Sequence, residues 1–191
     1  MELYIIRHGQ SMANADNQLA GWLDVPLTEK GIDDAKGAAG KIAGIEFEKV
    51  YASDLVRASQ TCETALPGVE YEKTQLLREL AVGDFEGMYY DERTPEDMLA
   101  KFYEIVPMRD FSGFGGESHQ MQMYRIGAFM DMVAQKHTGK VAAFTHAGVL
   151  ECLLHHVLGF KVNPDTLAIP NCVICVLQWT GEMWKLKHWN I

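Results

Sequence analysis

Three short apolar runs, LYII at 3–6, KVYAS at 49–53 and KVAAFTH at 140–146, are each succeeded by a stretch of helical character. Runs of this length that are apolar at successive positions, rather than at every second one, read as strands buried on both faces. Parallel strands cannot be joined by a tight turn, so each such strand needs a helical crossover before the next. That requirement restricts the chain to a sheet with helices packed on it.

The helical stretches support this reading. LTEKGIDDAKGAAGKIAG reads as a helix entered at Thr28, with Glu29, Asp33 and Asp34 toward its positive end. Its glycines weaken it, so it needs tertiary packing to persist. A second helix follows Ser53, read as its N-cap, with Leu55, Ala58, Cys62 and Leu66 on the buried stripe and Arg57 off that stripe in the first turn. Further helices are expected near 95–105, from about Glu117 to Lys136, and over 148–158, where Val149, Leu150, Leu153, Leu154, Val157 and Leu158 make an apolar face. The chain closes on CVICVLQW and MWKLKHW around TGE, an antiparallel hairpin. The expected fold is α/β: a three-layer αβα sandwich with a mostly parallel central sheet and the C-terminal antiparallel hairpin at one edge. Residues 82–116 are rich in aromatic, methionine, acidic and glycine residues and lack a clean period, so they read as a small cap insertion within a single domain spanning 1–191.

Composition narrows the partners. With 17 basic and 26 acidic residues the formal charge is −9, which argues against nucleic acid or an anionic membrane. A small anionic substrate is compatible with that charge, because a pocket can be locally positive, although the global field does not steer it in. Runs such as CVICVL are far too short to span a bilayer, and no basic segment followed by an apolar one opens the chain, so a soluble, cytoplasmic protein is expected. Cys62, Cys152, Cys172 and Cys175 lack a zinc-type spacing and read as buried, inert thiols. His155 and His156 are adjacent on a helix, point different ways and have no matching carboxylates, so no metal is expected there.

In open α/β sheets ligands bind beyond the carboxyl ends of the strands. Arg7 and His8 end the first strand, Ser53 to Arg57 follow the second, and Thr145 and His146 end the third, so three distant segments meet at one edge. Two permanently charged, planar arginines suit phosphoryl oxygens. Gly9 permits close backbone approach to a ligand, and neighbouring amides can complete an anion nest. A histidine among such cations stays neutral, and a neutral imidazole is a nucleophile. The Arg-His pair alone carries little weight; its convergence with Arg57, Glu79 and His146 carries the reading.

The motifs RHGQSMAN, GWLDVPLTEKG, YASDLVRASQT, LRELAVGDFEG, GGES and THAGVL, in this order and spacing, resemble the histidine phosphatase (phosphoglycerate mutase-like) superfamily over residues 4–150. The resemblance implies His8 as the nucleophile that carries the phosphoryl group, with Arg7, Arg57 and His146 holding its oxygens. It implies Glu79 as proton donor to the leaving oxygen, and Asn14, Gly21, Gln10 and Ala147 as substrate-binding positions. No cofactor and no metal are implied. Glu86 competes with Glu79 for the acid's role. Glu117 and Ser118 of GGES fit either a substrate contact or the start of a helix. Ser11 stands where many relatives have threonine, a change that keeps the hydroxyl.

The mutases of this superfamily carry a longer insertion between the glutamate and the GES motif, with adjacent arginines that grip a substrate carboxylate. Between Glu79 and Gly116 this chain has only Arg93 and Arg109, which are not adjacent. The expectation is therefore a metal-independent phosphomonoester hydrolase acting through phosphohistidine on a small phosphorylated metabolite of the sugar phosphate, phosphoglycerate or α-ribazole phosphate type. A cofactor-dependent phosphoglycerate mutase and a non-catalytic protein that binds a phosphorylated ligand or a partner are the alternatives, and a homodimer is left open. Phe85, Met88, Tyr89, Tyr90, Met98, Phe102, Tyr103, Met108, Phe111 and Phe114 either contact substrate or pack the cap onto the sheet.

Overall fold

Each apolar run becomes a strand in the computed structural model, which describes residues 1–159 and 167–191. Among these residues β1 (Glu2–Arg7), β2 (Lys49–Ser53), β3 (Glu72–Thr74), β4 (Lys140–Thr145), β5 (Ile174–Trp179) and β6 (Trp184–Trp189) form one sheet, ordered β3-β2-β4-β1-β5-β6. The first four in that order run parallel, and β5 and β6 turn antiparallel at the edge as the hairpin requires. The strand β3 has no counterpart in the sequence reading: EKT is polar, largely exposed and too short to show a pattern.

The helices are α1 (Met12–Ala15), α2 (Glu29–Lys41), α3 (Val56–Ala65), α4 (Glu96–Ile105), α5 (His119–Lys136) and α6 (Ala147–Leu158). Successive side chains of β1 enter opposite cores, which explains why every position of the run is apolar. Leu3 and Ile5 pack with Ile126, Phe129, Leu150 and Leu153 of α5 and α6. Tyr4 and Ile6 pack with Ala35 and Ala38 of α2 and Cys62 and Ala65 of α3. This is the expected three-layer sandwich.

Local starts differ from the sequence reading where tertiary contacts supply the cap. Thr28 caps α2 as expected, its hydroxyl accepting from the Gly31 amide at 3.0 Å. Ser53 does not cap α3: Leu55 holds the N-cap position, and the Val56 amide donates instead to Asp24 Oδ1 at 2.6 Å, from a loop far away in sequence. The buried Ser53 hydroxyl lies 2.9 Å from His146 Nε2. Helix α5 begins at His119, two positions after Glu117, with Ser118 as N-cap. Gly9 serves packing rather than ligand approach, since a Cβ there would stand 2.2 Å from the Gly31 carbonyl oxygen. Only a glycine lets the chain leaving β1 lie on the first turn of α2.

The cap holds its own small core. Leu80, Val82, Phe85, Met88, Phe102, Ile105 and Phe111 are buried together, with α4 as the one regular helix of the segment. Among the described residues no helix is long and apolar enough to cross a membrane. All four cysteines are buried and free, and burial pushes their thiols up to about 12.

Candidate active site

The carboxyl ends of β1, β2 and β4 open into one cavity of about 870 Å³, with Arg7, His8, Arg57 and Glu79 on its floor and cap residues opposite. His8 is fixed through its backbone, the amide donating to the Thr145 carbonyl at 2.8 Å. Its ring Nδ1 lies 2.7 Å from the Gly9 carbonyl oxygen. A carbonyl only accepts, so Nδ1 carries the hydrogen and Nε2 keeps a free lone pair. Burial, and then the positive charges of Arg57 and Arg7, hold the His8 pKa well below its ordinary value. The ring is therefore neutral at physiological pH, as a nucleophile must be.

His146 stands behind it, with ring centroids 5.2 Å apart. It is fully buried and does not itself line the cavity. Burial and the Arg57 charge keep its pKa well below the ordinary value too. Ser53 meets its Nε2, while Nδ1 is buried without a hydrogen-bond partner among the described residues. Arg7 is similar: Nη1 donates to the Ile169 carbonyl, and Nε is buried and unpartnered. Arg57 enters from the first turn of α3, as its position off the apolar stripe implies. Its Nη1 donates to Leu23 O at 2.9 Å and its Nη2 to Gly21 O at 2.8 Å. Burial lowers the Arg57 pKa to about 10, which still leaves it cationic. Unpartnered buried polar atoms are rare in folded proteins, and Arg7 and His146 each contribute one beside an imidazole with a free lone pair. That arrangement fits an anion.

Glu79 approaches from the cap side. Its Oε1 accepts from the Leu80 amide at 2.8 Å and its Oε2 from the Gly148 amide at 3.1 Å, at the N-terminus of α6. A Cβ on Gly148 would stand 2.2 Å from Oε1, so the glycine of THAGVL makes room for this carboxyl. The Glu79 carbonyl accepts from Trp22 Nε1 at 2.7 Å and from Arg125 Nη2 at 2.8 Å. Arg125 also donates to the carbonyls of Leu76 and Arg78, and grips Glu117 with Nε and Nη2 at 2.8 and 2.9 Å. Glu117 in turn accepts from the Ala81 amide at 3.1 Å. The GGES motif is thus a buried brace under Glu79 and a helix start, and neither Glu117 nor Ser118 lines the cavity.

The remaining assigned positions divide. Asn14, Gly21 and Ala147 line the cavity. Asn14 Oδ1 accepts from Ser11 N at 3.2 Å and Asn171 Nδ2 at 3.3 Å, which orients its amide. Gln10 does not line it: its side-chain carbonyl accepts from the Thr28 hydroxyl at 2.9 Å, tying the loop to the start of α2. Glu86 is a loop anchor, accepting from the Trp22 amide at 2.9 Å, and leaves Glu79 as the carboxyl on the floor. Sequence reasoning missed Glu151 of α6, which lines the cavity and pairs with Arg109 of the cap. Its signal was a lone carboxylate in the apolar run GVLECLL. Of the cap aromatics and methionines, Tyr90, Phe102 and Phe111 line the cavity, Phe85 and Met88 pack internally, and Tyr103 and Met108 are exposed. Among the described residues no group of three or more histidine, cysteine or carboxylate side chains is placed to hold a metal ion.

The profile of the histidine phosphatase superfamily (branch 1) matches residues 3–191. The chain belongs to that superfamily. A protein of Enterobacter sp. (strain 638), provisionally named phosphoglycerate mutase GpmB, is 27% identical, with 100% of this chain and 91% of that protein covered. Among solved structures, an Escherichia coli K-12 protein provisionally named an alpha-ribazole-5'-P phosphatase superposes with a TM-score of 0.88 at 24% identity, covering 100% of this chain and 96% of that one. A mycobacterial glucosyl-3-phosphoglycerate phosphatase, solved with VO3, gives a TM-score of 0.83 at 24% identity, covering 99% and 98%. At that identity the two structures establish the shared fold.

Proposed function

We propose that this protein is a phosphomonoester hydrolase that acts through phosphohistidine at His8, without a metal, on a small phosphorylated metabolite in the cytoplasm. One observation carries the reading: a neutral, buried His8 whose Nδ1–H is held by Gly9 O, in a cavity whose lining also includes the guanidiniums of Arg7 and Arg57 and the Glu79 carboxyl.

In the first half-reaction Nε2 forms a bond to phosphorus as the bond to the ester oxygen breaks. The Glu79 carboxyl gives its proton to the departing alkoxide. The ring becomes cationic, and the Nδ1–H bond to Gly9 O strengthens as it does so. Arg7 and Arg57 stabilise the equatorial oxygens, where most of the charge shifts, with His146 standing behind the His8 ring. In the second half-reaction the Glu79 carboxylate takes a proton from water, whose oxygen bonds to phosphorus as the P–N bond breaks. Phosphate leaves and His8 returns neutral.

Hydrolysis is favoured over mutase chemistry because the carboxylate clamp of a mutase has no equivalent in the cap. Arg93 is turned to the outside on Asp16 and Asp91, and Arg109 is occupied by Glu151. The test is release of phosphate from p-nitrophenyl phosphate in EDTA, with acid-labile, base-stable phosphate trapped on the protein. Interconversion of 3- and 2-phosphoglycerate that requires a bisphosphorylated primer, with negligible phosphate release, identifies a mutase instead. Neither activity nor labelling identifies a binding protein.

A further inference from the structure

The floor of the cavity accounts for the phosphoryl group, and the cap side must accommodate whatever carries it. That side is walled by Leu80, Val82, Tyr90, Phe102, Val106 and Phe111. Set into it is an ion pair, Arg109 Nη1 on Glu151 Oε2, whose side chains keep only 16% and 11% of their exposure. Arg109 is held through its backbone as well. Its amide donates to Ile105 O at 3.1 Å and Val106 O at 3.2 Å, and its carbonyl accepts from the His119 amide at 2.8 Å. Its Nη2 lies 3.0 Å from where a Gly148 Cβ would stand, beside the Glu79 carboxyl. Burial opposes the Arg109 charge, but the carboxylates of Glu151 and Glu79 outweigh it and raise its pKa. The other cap cations face elsewhere: Arg93 lies over Tyr89 and pairs with Asp91 and Asp16, and Lys101 lies over Phe114.

We propose that Glu151 is a specificity-determining residue: by occupying Arg109 it makes the cap side a receptor for an uncharged leaving group with an apolar face, and excludes leaving groups that carry a carboxylate or a second phosphate. The proposal rests on the phosphatase reading and adds the substrate class. A carboxylate that enters must either stay unpaired beside Glu79 and Glu151 or displace Glu151 from Arg109. Displacement breaks an ion pair that is largely out of water on both sides, which is the costly way to open such a pair. An apolar group meets no such penalty and gains the burial that the aromatic walls provide. Without the Glu151 charge, Arg109 presents a planar fork suited to a carboxylate.

The test compares kcat/KM for three primary alkyl phosphates: benzyl phosphate, sn-glycerol 3-phosphate and 3-phosphoglycerate. The last two differ chiefly by a carboxylate. The wild type is expected to rank them in the order given, with 3-phosphoglycerate slower than sn-glycerol 3-phosphate by about tenfold or more, the size of one lost charge-assisted contact. In Glu151→Gln the ratio of 3-phosphoglycerate to sn-glycerol 3-phosphate is expected to rise about tenfold or more. In the double variant Glu151→Gln/Arg109→Gln the ratio is expected to fall back, which separates a freed arginine from a merely loosened cap. If the wild type turns over 3-phosphoglycerate as well as sn-glycerol 3-phosphate or better, the specificity proposal is wrong while the phosphatase reading stands. A Glu151→Gln ratio unchanged in folded protein overturns the role of Glu151, and the wild-type ranking decides the substrate class even where that variant fails to fold. If none of the three esters nor p-nitrophenyl phosphate releases phosphate, the phosphatase reading falls and this proposal with it.

Discussion

The floor of the cavity carries charged and polar groups, some of them buried as deeply as core residues, whereas the cap that faces it is made largely of apolar side chains, several of them exposed. On the floor, Arg57 is 2% exposed, His8 4% and His146 0%, each fixed by hydrogen bonds to backbone or to a buried hydroxyl. In the cap, Phe102 contacts Phe85, Tyr90 and Phe111 through ring edges and faces, while its neighbour Tyr103 is 55% exposed. Buried cations without full hydrogen bonding cost folding energy, so the floor trades stability for a preset arrangement that fits an anion. The cap has nothing comparable to hold in place except Arg109. On the proposed reading, chemistry resides in the first region and choice of substrate in the second.

That division breaks most sharply at His8. His8→Ala is expected to lower kcat by at least about 10⁴-fold, since a residue that forms the covalent intermediate has no substitute. Phosphate release and trapped phosphohistidine are the measurements, and activity that survives in the variant removes His8 as nucleophile. Arg57→Ala is expected to cost about 10²–10³-fold in kcat, the range for a lost transition-state donor. The same change unpairs the carbonyls of Gly21 and Leu23, so Arg57→Lys, which restores charge without the two-pronged fork, should recover only part of the loss.

The floor was also the more legible of the two in sequence. Arg7, His8, Arg57 and His146 each follow a strand readable from apolar runs alone, and their convergence follows from the rule for parallel sheets. What escaped is what depends on contacts between distant segments. The Asp24 cap on α3 cannot be read from Ser53, because Ser53 looks like the better N-cap until His146 claims its hydroxyl. The brace of Arg125 and Glu117 is spread over a helix and a loop, and GGES alone fitted two readings equally. Gln10 lies within the RHGQSMAN motif but is tied to Thr28 by its side chain. The cap showed its composition but not its geometry, since a segment with one short helix has no period from which facing can be argued. Arg109, whose backbone has φ +52, is placed by that irregular chain.

A change confined to the cap should therefore act on binding. Phe102→Ala removes a ring that is 3% exposed and lines the cavity. It is expected to raise KM for benzyl phosphate about tenfold, the value of one lost apolar contact, while kcat changes far less. A fall in kcat as large as that of Arg57→Ala, in folded protein, would show that cap and floor are coupled.

A change of pH tests the cost of the floor. His8 and His146 both have pKa values depressed well below 6.5 by burial and by Arg57. Below that ordinary value the unfolded chain binds protons that the folded one does not, so stability is full above it and falls as pH drops through it. Each histidine should remove about 0.7 kcal/mol between pH 7 and pH 6, rising to about 1.4 kcal/mol per further pH unit. The carboxylates that pair in the fold, such as Asp54, have depressed pKa values starting from 3.8 and act at lower pH, so the two titrations separate. Denaturant unfolding from pH 7 to 5 should show a slope of about two protons, reduced to about one in His146→Gln. A slope already near zero in the wild type would mean that the imidazoles gain a proton in the folded state. A protonated His8 has no lone pair on Nε2, so the same result would remove the feature on which the catalytic reading depends.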